Sequence, residues 1–260
     1  MSNVIKKLSD VVKKVTEGAI NWIREWFEEN GKGCNAVIGI SGGKDSTIVA
    51  KLCVEALGAD RVIGVMMPCG VQKDISDSIR VCEYLGIKNY TINIEGAVNA
   101  TLKQMEDAGI EISNQTIVNL PPRIRMSTLY AVSQSHNGRV SNNCNLSEDI
   151  CGFSTRFGDS VGDFSPLSNL TTVEIVQIGD YLGIPYDLVH KVPMDGLNVN
   201  ENDEYITDED ILGVRDSDIH SYAREPHKLM ESNPEVYEAI CEKERKNAFK
   251  LKPMPAYPNI

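Results

Sequence analysis

The sequence lacks the marks of a membrane-spanning, secreted or zinc-binding chain. No apolar run approaches the roughly 18 residues of a membrane span, and the start, MSNVIKKLSD, has no apolar signal-peptide core. The seven cysteines are scattered and never spaced C-x-x-C, which favours reduced thiols over disulfides or a zinc site. We therefore expect a cytoplasmic protein that does not enter a membrane.

Positive charge is also scarce. The chain has 26 Lys and Arg against 37 Asp and Glu, a net charge of −11. Because affinity for nucleic acid comes mainly from neutralising phosphates with Lys and Arg, this balance argues against a nucleic-acid partner. The length of 260 residues with 42% hydrophobic residues suits a single α/β domain over residues 1–260 rather than two large domains.

The stretch AVIGISGGKDS, residues 36–46, organises the chain. Its apolar start is typical of a strand buried on both faces, and apolar residues at helical spacing follow over residues 46–57. Between strand and helix, Gly42 and Gly43 allow the backbone to approach an anion at the N-terminus of the helix. The pattern therefore predicts a phosphate-binding loop.

This loop is not a Walker A loop. A Walker A loop has four residues between its first glycine and Gly-Lys, followed by Ser or Thr, whereas here Lys44 is followed by Asp45. The order Ser-Gly-Gly-x-Asp-Ser instead resembles the pyrophosphate loop of ATP pyrophosphatases. In that superfamily the loop holds pyrophosphate and the Asp helps to hold Mg2+.

Predicted strands and helices alternate beyond the loop. This order predicts a doubly wound parallel sheet with helices on both faces, a Rossmann-like α/β fold in which ligands bind at the carboxyl ends of the strands. Further strands are expected at 61–67, 90–94 and 140–143, and helices at 74–85, 95–107, 119–132, 171–182 and from Asp216 onward.

Three other segments have distinctive compositions. Residues 1–30 carry an apolar stripe with two Trp and a Phe, which predicts an amphipathic helix that packs on the core or contacts another subunit. Residues 152–167 hold too many Gly, Ser and Asp for a regular element and are expected to form a functional loop. The polar, acidic segment 193–212 is a predicted mobile lid.

Several further motifs follow one another along the chain: residues 39–46, 68–74 (PCGVQKD), 119–126 (NLPPRIRM), Glu148, 153–163 (FSTRFGDSVGD), 166–167, 208–209 and 212–213. Together they resemble the motifs of ammonia-dependent NAD synthetases, over about residues 36–222 and more weakly in the tail. The resemblance implies the adenine nucleotide alpha hydrolase fold and a homodimer whose dinucleotide site is completed by the partner.

The reaction implied by this resemblance uses ATP, deamido-NAD and ammonia. The nicotinate carboxylate attacks the α-phosphate of ATP, an acyl adenylate forms and pyrophosphate leaves; ammonia then displaces AMP to give NAD. Lys44, the loop amides and Mg2+ on Asp45 and Glu148 would neutralise the pyrophosphate. Asp159 would receive and deprotonate ammonium.

The same resemblance assigns the binding residues. ATP would contact Gly39, Ile40, Ser41, Gly42, Gly43, Lys44, Asp45, Ser46, Asn143, Thr172 and Met194. Deamido-NAD would contact Arg123, Arg156, Asp163, Phe249 and Lys250.

The chain departs from the family pattern at three positions. Thr172 replaces a Lys that would steady charge on the α-phosphate, Met194 replaces a Ser or Thr, and Phe249-Lys250 replaces a His-Lys pair. If Lys44 supplies the missing positive charge, activity is intact. The alternatives are a tRNA thiolase, a GMP synthetase-like enzyme or a nucleotide-binding homologue with weakened catalysis.

Overall fold

A parallel sheet forms the centre of the chain. The computed structural model describes residues 2–72, 75–191 and 206–257, with side chains from residue 9 onward. The strands are β1 (Asn35–Gly39), β2 (Val62–Met66), β3 (Lys88–Thr91) and β4 (Gly138–Val140). They form a four-stranded sheet in the order β3-β2-β1-β4, and every pairing is parallel.

Helices cover both faces of this sheet. Alternate residues of β1 face different helices on the two faces. Ala36 and Ile38 belong to the core under α1 and α2, whereas Val37 packs with Leu129 of α5 on the other side. The predicted doubly wound parallel sheet is therefore confirmed. The helices are α1 (Ser2–Asn30), α2 (Lys44–Leu57), α3 (Ile75–Leu85), α4 (Glu95–Asp107), α5 (Asn114–Ser135), α6 (Leu146–Cys151), α7 (Thr172–Tyr181), α8 (Tyr186–Val189), α9 (Asp208–Leu212), α10 (Asp216–Arg224), α11 (Pro226–Ser232) and α12 (Pro234–Asn247).

The N-terminal helix α1 packs on α2 and α7 through only part of its apolar stripe. Ile23 and Phe27 are buried, and Trp26 stacks on Phe164 with ring centroids 5.1 Å apart. Val11 and Trp22, by contrast, are 57% and 40% exposed. The predicted core contact is confirmed for the inner residues, and an outer apolar strip remains uncovered in the single chain.

Several predicted boundaries were wrong. The helix expected at 119–132 begins at Asn114, where the Ser113 side chain accepts a hydrogen bond from Thr116 N. Pro121 and Pro122 therefore lie inside α5, although they were read as its start. The strands expected at 90–94 and 140–143 are β3 and β4, which begin two residues and end three residues earlier than expected.

A smaller apolar cluster lies beside the sheet. Ile150 of α6, Ile219 of α10 and Ile240 of α12 are its most buried isoleucines. α11 and α12 were not predicted from the sequence. In the described part of the chain, no helix is long and apolar enough to cross a membrane.

The two segments expected to be loops differ in what the structure describes. Residues 152–167 form turns without helix or strand beyond the end of α6, apart from a parallel bridge between Ser141 and Phe164. Of the predicted lid, residues 193–205 and therefore Met194 lie outside the described residues. The described part of the lid holds α9.

Candidate active site

The glycine loop joins the carboxyl end of β1 to the N-terminus of α2. Gly43 is the N-cap of α2, and no side chain caps this helix. Serines of the loop hold its shape instead, because Ser41 Oγ accepts a hydrogen bond from Gly43 N at 3.2 Å and Ser46 Oγ donates to Gly43 O at 3.2 Å. The first N–H groups of α2 are thus available to an anion.

Gly42 is required by both conformation and space. Its φ is +79°, in the left-handed region that favours glycine. A Cβ at this position would lie 3.0 Å from Asp77 Cβ and 3.0 Å from Ser78 N, at the start of α3. The loop is therefore pressed against the first turn of α3, and any larger residue would displace it.

Asn145 joins the two carboxylates predicted to bind metal. Its Nδ2 donates to Asp45 Oδ1 at 3.0 Å, and its backbone N donates to Glu148 Oε2 at 2.9 Å. Its Oδ1 accepts from Glu148 N at 3.1 Å, which completes a capping box at the start of α6. Asp45 and Glu148, far apart in sequence, are thus oriented by one residue.

The donor set of this pair fits magnesium. Burial and the neighbouring Asp45 carboxylate raise the pKa of Glu148 well above its usual range, so a cation between the two would relieve their repulsion. Within the described residues, no group of three or more His, Cys, Asp or Glu is arranged to hold a metal. Few protein ligands, all oxygen, suit Mg2+, which keeps waters and phosphate oxygens in its shell.

Lys44 is a buried cation next to this pair. Its side chain is 9% exposed, and Nζ lies 3.6 Å from Asp45 Oδ2. Burial lowers the pKa of Lys44, but the carboxylates of Asp45, Glu148 and Asp216 outweigh it, and the pKa is raised. Lys44 is therefore charged at neutral pH.

Thr172 lines the same cleft as Lys44, at the start of α7. Its backbone N donates to Ser147 Oγ at 3.1 Å, and Asp216 lines the same cleft. Asn143 lies at the other side of the loop, where Nδ2 donates to Gly39 O at 2.9 Å. The ATP-binding positions predicted within the described residues therefore surround the loop.

A second cluster gathers residues predicted to hold deamido-NAD. Arg123 Nε donates to the backbone O of Arg156 at 3.3 Å. The Arg156 guanidinium lies over two exposed rings, 4.8 Å from the centroid of Phe157 and 5.3 Å from that of Phe249. Lys250 Nζ donates to Gly152 O at 2.8 Å, so the tail packs on the 152–167 loop.

Asp159 and Asp163 come from that loop but have different surroundings. Asp159 Oδ1 accepts from Thr155 N at 2.8 Å, and burial raises the pKa of Asp159. Asp163 accepts from Tyr130 OH at 3.2 Å and from Val140 N at 2.7 Å, using both carboxylate oxygens inside the chain. Asp163 therefore ties the loop to β4 and α5 in the described structure.

Sequence reasoning missed three residues of this site: Asn145, Ser147 and Asp216. Asn145 carried a readable signal, since Asn-x-x-Glu before a helix is a capping-box pattern. Ser147 and Asp216 share a cleft with Thr172 only because α6, α7 and α10 pack together. No local pattern marks either.

Comparison with known proteins places the chain in a family. A sequence profile described as NAD synthase matches residues 15–254. The NH(3)-dependent NAD(+) synthetase of Thermococcus sibiricus is 38% identical over 196 residues, 75% of each chain. That of Finegoldia magna is 32% identical over 241 residues, 92% of this chain and 93% of its own length.

Solved structures agree with the sequence relatives. An NMN synthetase from Francisella tularensis superposes with a TM-score of 0.82 at 28% identity, covering 96% of this chain and 99% of the other. An NH3-dependent NAD synthetase from Campylobacter jejuni, in complex with nitrate ion, gives 0.78 at 27% identity, covering 95% and 99%. On the extent of the profile match and the identity to these relatives, the chain belongs to the NAD synthase family.

Proposed function

We propose that the glycine loop, Asp45 and Glu148 form the MgATP site of an NAD synthetase and that the Arg123–Arg156 cluster binds its acceptor. As a family member the chain is a C–N ligase that amidates deamido-NAD with ammonia, using ATP. The observation that carries the site assignment is the pair of hydrogen bonds by which Asn145 orients Asp45 and Glu148.

The loop suits the departure of pyrophosphate. Its uncapped helix N-terminus supplies N–H donors and positive potential, and Lys44 adds a full charge in a site with little water. A bound Mg2+ would supply Lewis-acid stabilisation of the phosphate oxygens. Together these groups stabilise charge that develops only as the α–β phosphate bond breaks.

The arginine cluster suits an anionic acceptor. Arg123 and Arg156 present two guanidinium groups at the edge of the loop. A guanidinium group, unlike the ammonium group of Lys, matches a carboxylate or phosphate with two parallel hydrogen bonds. Phe157 and Phe249 flank Arg156 and would narrow its range of orientations. Asp163 would act here by holding the loop in place.

We propose that Asp159 binds ammonium and accepts its proton. Its side chain is exposed at the 152–167 loop, near Lys250, and the pKa of its carboxyl is raised, which suits a group that takes up a proton. Once ammonium is deprotonated, the lone pair of ammonia attacks the acyl carbon, the C–O bond to AMP breaks and the second proton leaves with solvent.

Two further proposals concern the oligomeric state of the protein and its location in the cell. We assign the protein a homodimeric state, because α1 leaves Val11, Val15 and Trp22 exposed in the single chain. We place it in the cytoplasm, where ATP and nicotinate nucleotides are available as substrates.

The experiment is a direct assay of the full chain. It is incubated with ATP, Mg2+, deamido-NAD and ammonium, and AMP, pyrophosphate and NAD are quantified. Asp45→Ala should lose about a hundredfold in rate, roughly 3 kcal/mol, because a metal ligand is removed. Asp60→Ala, at an exposed aspartate outside the site, is the matched control. Near-wild-type AMP release by Asp45→Ala at saturating Mg2+ would refute the assignment.

A second acceptor is worth including in the same assay. The high similarity over the whole chain to a structure described as an NMN synthetase favours a mononucleotide acceptor as the other candidate. Nicotinate mononucleotide and deamido-NAD should be offered together. The product with the higher kcat/KM identifies the acceptor, and absence of both products with slow ATP turnover would favour a weakened homologue.

A further inference from the structure

Lys44 occupies a position that is unfavourable for a cation. It is the first residue of α2, where the helix dipole repels positive charge, and its relative exposure is only 8%. A buried charge at this place needs compensation by groups of opposite charge. Because a lysine is unfavourable both in a buried position and at a helix N-terminus, we expect Lys44 to have a function.

The compensation comes from the carboxylates of the proposed metal site. Lys44 Nζ is 3.6 Å from Asp45 Oδ2, while Asn145 Nδ2 donates to the other oxygen, Oδ1, at 3.0 Å. One oxygen of Asp45 therefore faces a neutral amide donor and the other faces the Lys44 cation. Lys44 also shares its cleft with Glu148 and Asp216.

We propose that Lys44 is an internal counter-cation that neutralises Asp45 when no metal is bound and moves onto the phosphates of ATP when metal arrives. The proposal rests on the magnesium assignment made above. It gives Lys44 two positions, one for each state of the site.

The physical reason is competition for one carboxylate. A divalent cation on Asp45 repels an ammonium group only a few ångströms away, and the repulsion is strong where water is scarce. Lys has a flexible four-carbon stem, so its ammonium group can move while the backbone stays fixed. The N-terminus of α2, where phosphates would bind, lies beside the stem because Lys44 is itself the first helical residue.

The proposal predicts opposite effects on two ligands. Without Lys44, Mn2+ alone should bind more tightly, because its competitor is gone. At saturating Mg2+, ATP should bind more weakly, because the phosphate partner that Lys44 supplies in the metal-bound state is gone. Changes of about tenfold in each direction are within the usual range of coupling between sites.

The test measures binding rather than turnover. Mn2+ binding is followed by electron paramagnetic resonance and ATP binding by calorimetry, on wild type and Lys44→Met. Lys51→Met is the matched control, since Lys51 lies on the same helix and pairs with Glu55 at 2.6 Å. It removes the same charge and should change Mn2+ affinity less than twofold, well below typical coupling. If Lys44→Met does not fold by circular dichroism, Lys44→Gln replaces it.

Asp45→Asn separates the two ways in which the idea can fail. If this variant loses Mn2+ and Lys44→Met binds Mn2+ no more tightly than wild type, the role of Lys44 is refuted and the metal assignment stands. If Asp45→Asn binds Mn2+ like wild type, the metal assignment itself is refuted. Tighter Mn2+ binding together with weaker ATP binding in Lys44→Met, absent in Lys51→Met, supports the proposal.

Discussion

Asn145 Nδ2 donates a hydrogen bond to Asp45 Oδ1 at 3.0 Å, across 100 residues of sequence. The same residue caps α6 and holds Glu148. A helix cap thus also positions two proposed metal ligands, which follow the neighbouring strands β1 and β4.

Asn145→Ala should therefore affect stability and metal binding together. Loss of the cap should cost about 1 kcal/mol of unfolding free energy. Loss of the contact to Asp45 should weaken Mn2+ binding about 10- to 100-fold, as is usual for groups that orient metal ligands. Urea unfolding and Mn2+ titration measure the two effects.

Asn233→Ala is the matched control for this experiment. The Asn233 side chain caps α12 by accepting from Val236 N at 3.4 Å, away from the glycine loop. It should lose stability but keep Mn2+ affinity. Equal Mn2+ affinity in Asn145→Ala and wild type would mean that Asn145 is only a cap.

A positive charge introduced at position 172 should restore part of the activity that is lost when Lys44 is replaced. Lys44 and Thr172 line the same cleft, and Thr172 stands where the resemblance places a Lys. We expect Lys44→Met to lower kcat by at least about tenfold and Thr172→Lys in that background to recover much of it. Steady-state kinetics with MgATP measures both variants.

The control for this rescue is Thr172→Met in the Lys44→Met background, which adds bulk without charge. If the two double variants are equally slow, positive charge at position 172 does not replace that of Lys44, and the family departure has another explanation. Recovery of kcat by Thr172→Lys but not by Thr172→Met supports the idea that Lys44 supplies the charge that the family pattern places at position 172.

The parts of the fold predicted from sequence are those fixed by local pattern. β1, β2 and α4 were placed within about a residue because continuous burial or helical periodicity defines them. β3 was misplaced because it lies at the sheet edge, where its residues are mostly exposed and leave no apolar run. The start of α5 differs from the prediction because Pro121 and Pro122, which are typical of a helix start, lie inside a helix that Ser113 caps.

The candidate site was predictable to a similar degree. The loop was read directly from its glycines and neighbouring residues. Partners that meet across the fold, such as Lys250 with Gly152 O, have no local signature. Their positions depend on how α6, α10 and α12 pack, and single-sequence periodicity contains no information about that packing.

Asp149 should make the unfolding free energy depend on pH. Burial raises the pKa of Asp149 from 3.8 to about 6. Because the folded pKa exceeds the unfolded one, the protonated carboxyl contributes stability below the unfolded value of 3.8, and this contribution is lost as the pH rises through about 6. Asp149→Asn should therefore gain roughly 1 to 2 kcal/mol over wild type between about pH 4 and pH 7.5, after allowing for partial exposure.

Metal-free urea unfolding at the two pH values measures that gain. Asp107→Asn, at an exposed aspartate at the end of α4, should show little difference between them. A gain for Asp149→Asn that is the same at both pH values would contradict the shifted pKa.

The last prediction is that the chain forms a homodimer through the outer strip of α1. Ile23 and Phe27 are buried in the main core, whereas Val11, Val15 and Trp22 are 57%, 37% and 40% exposed. Trp is among the residues most enriched at the centre of interfaces. Trp22→Glu should shift the sedimenting species at micromolar concentration from about twice the 28.7 kDa chain mass towards one chain. Ser9→Glu adds the same charge on the far side of α1 and should leave the dimer intact. An active wild-type protein that sediments as one chain would exclude both the dimer and a site shared between subunits.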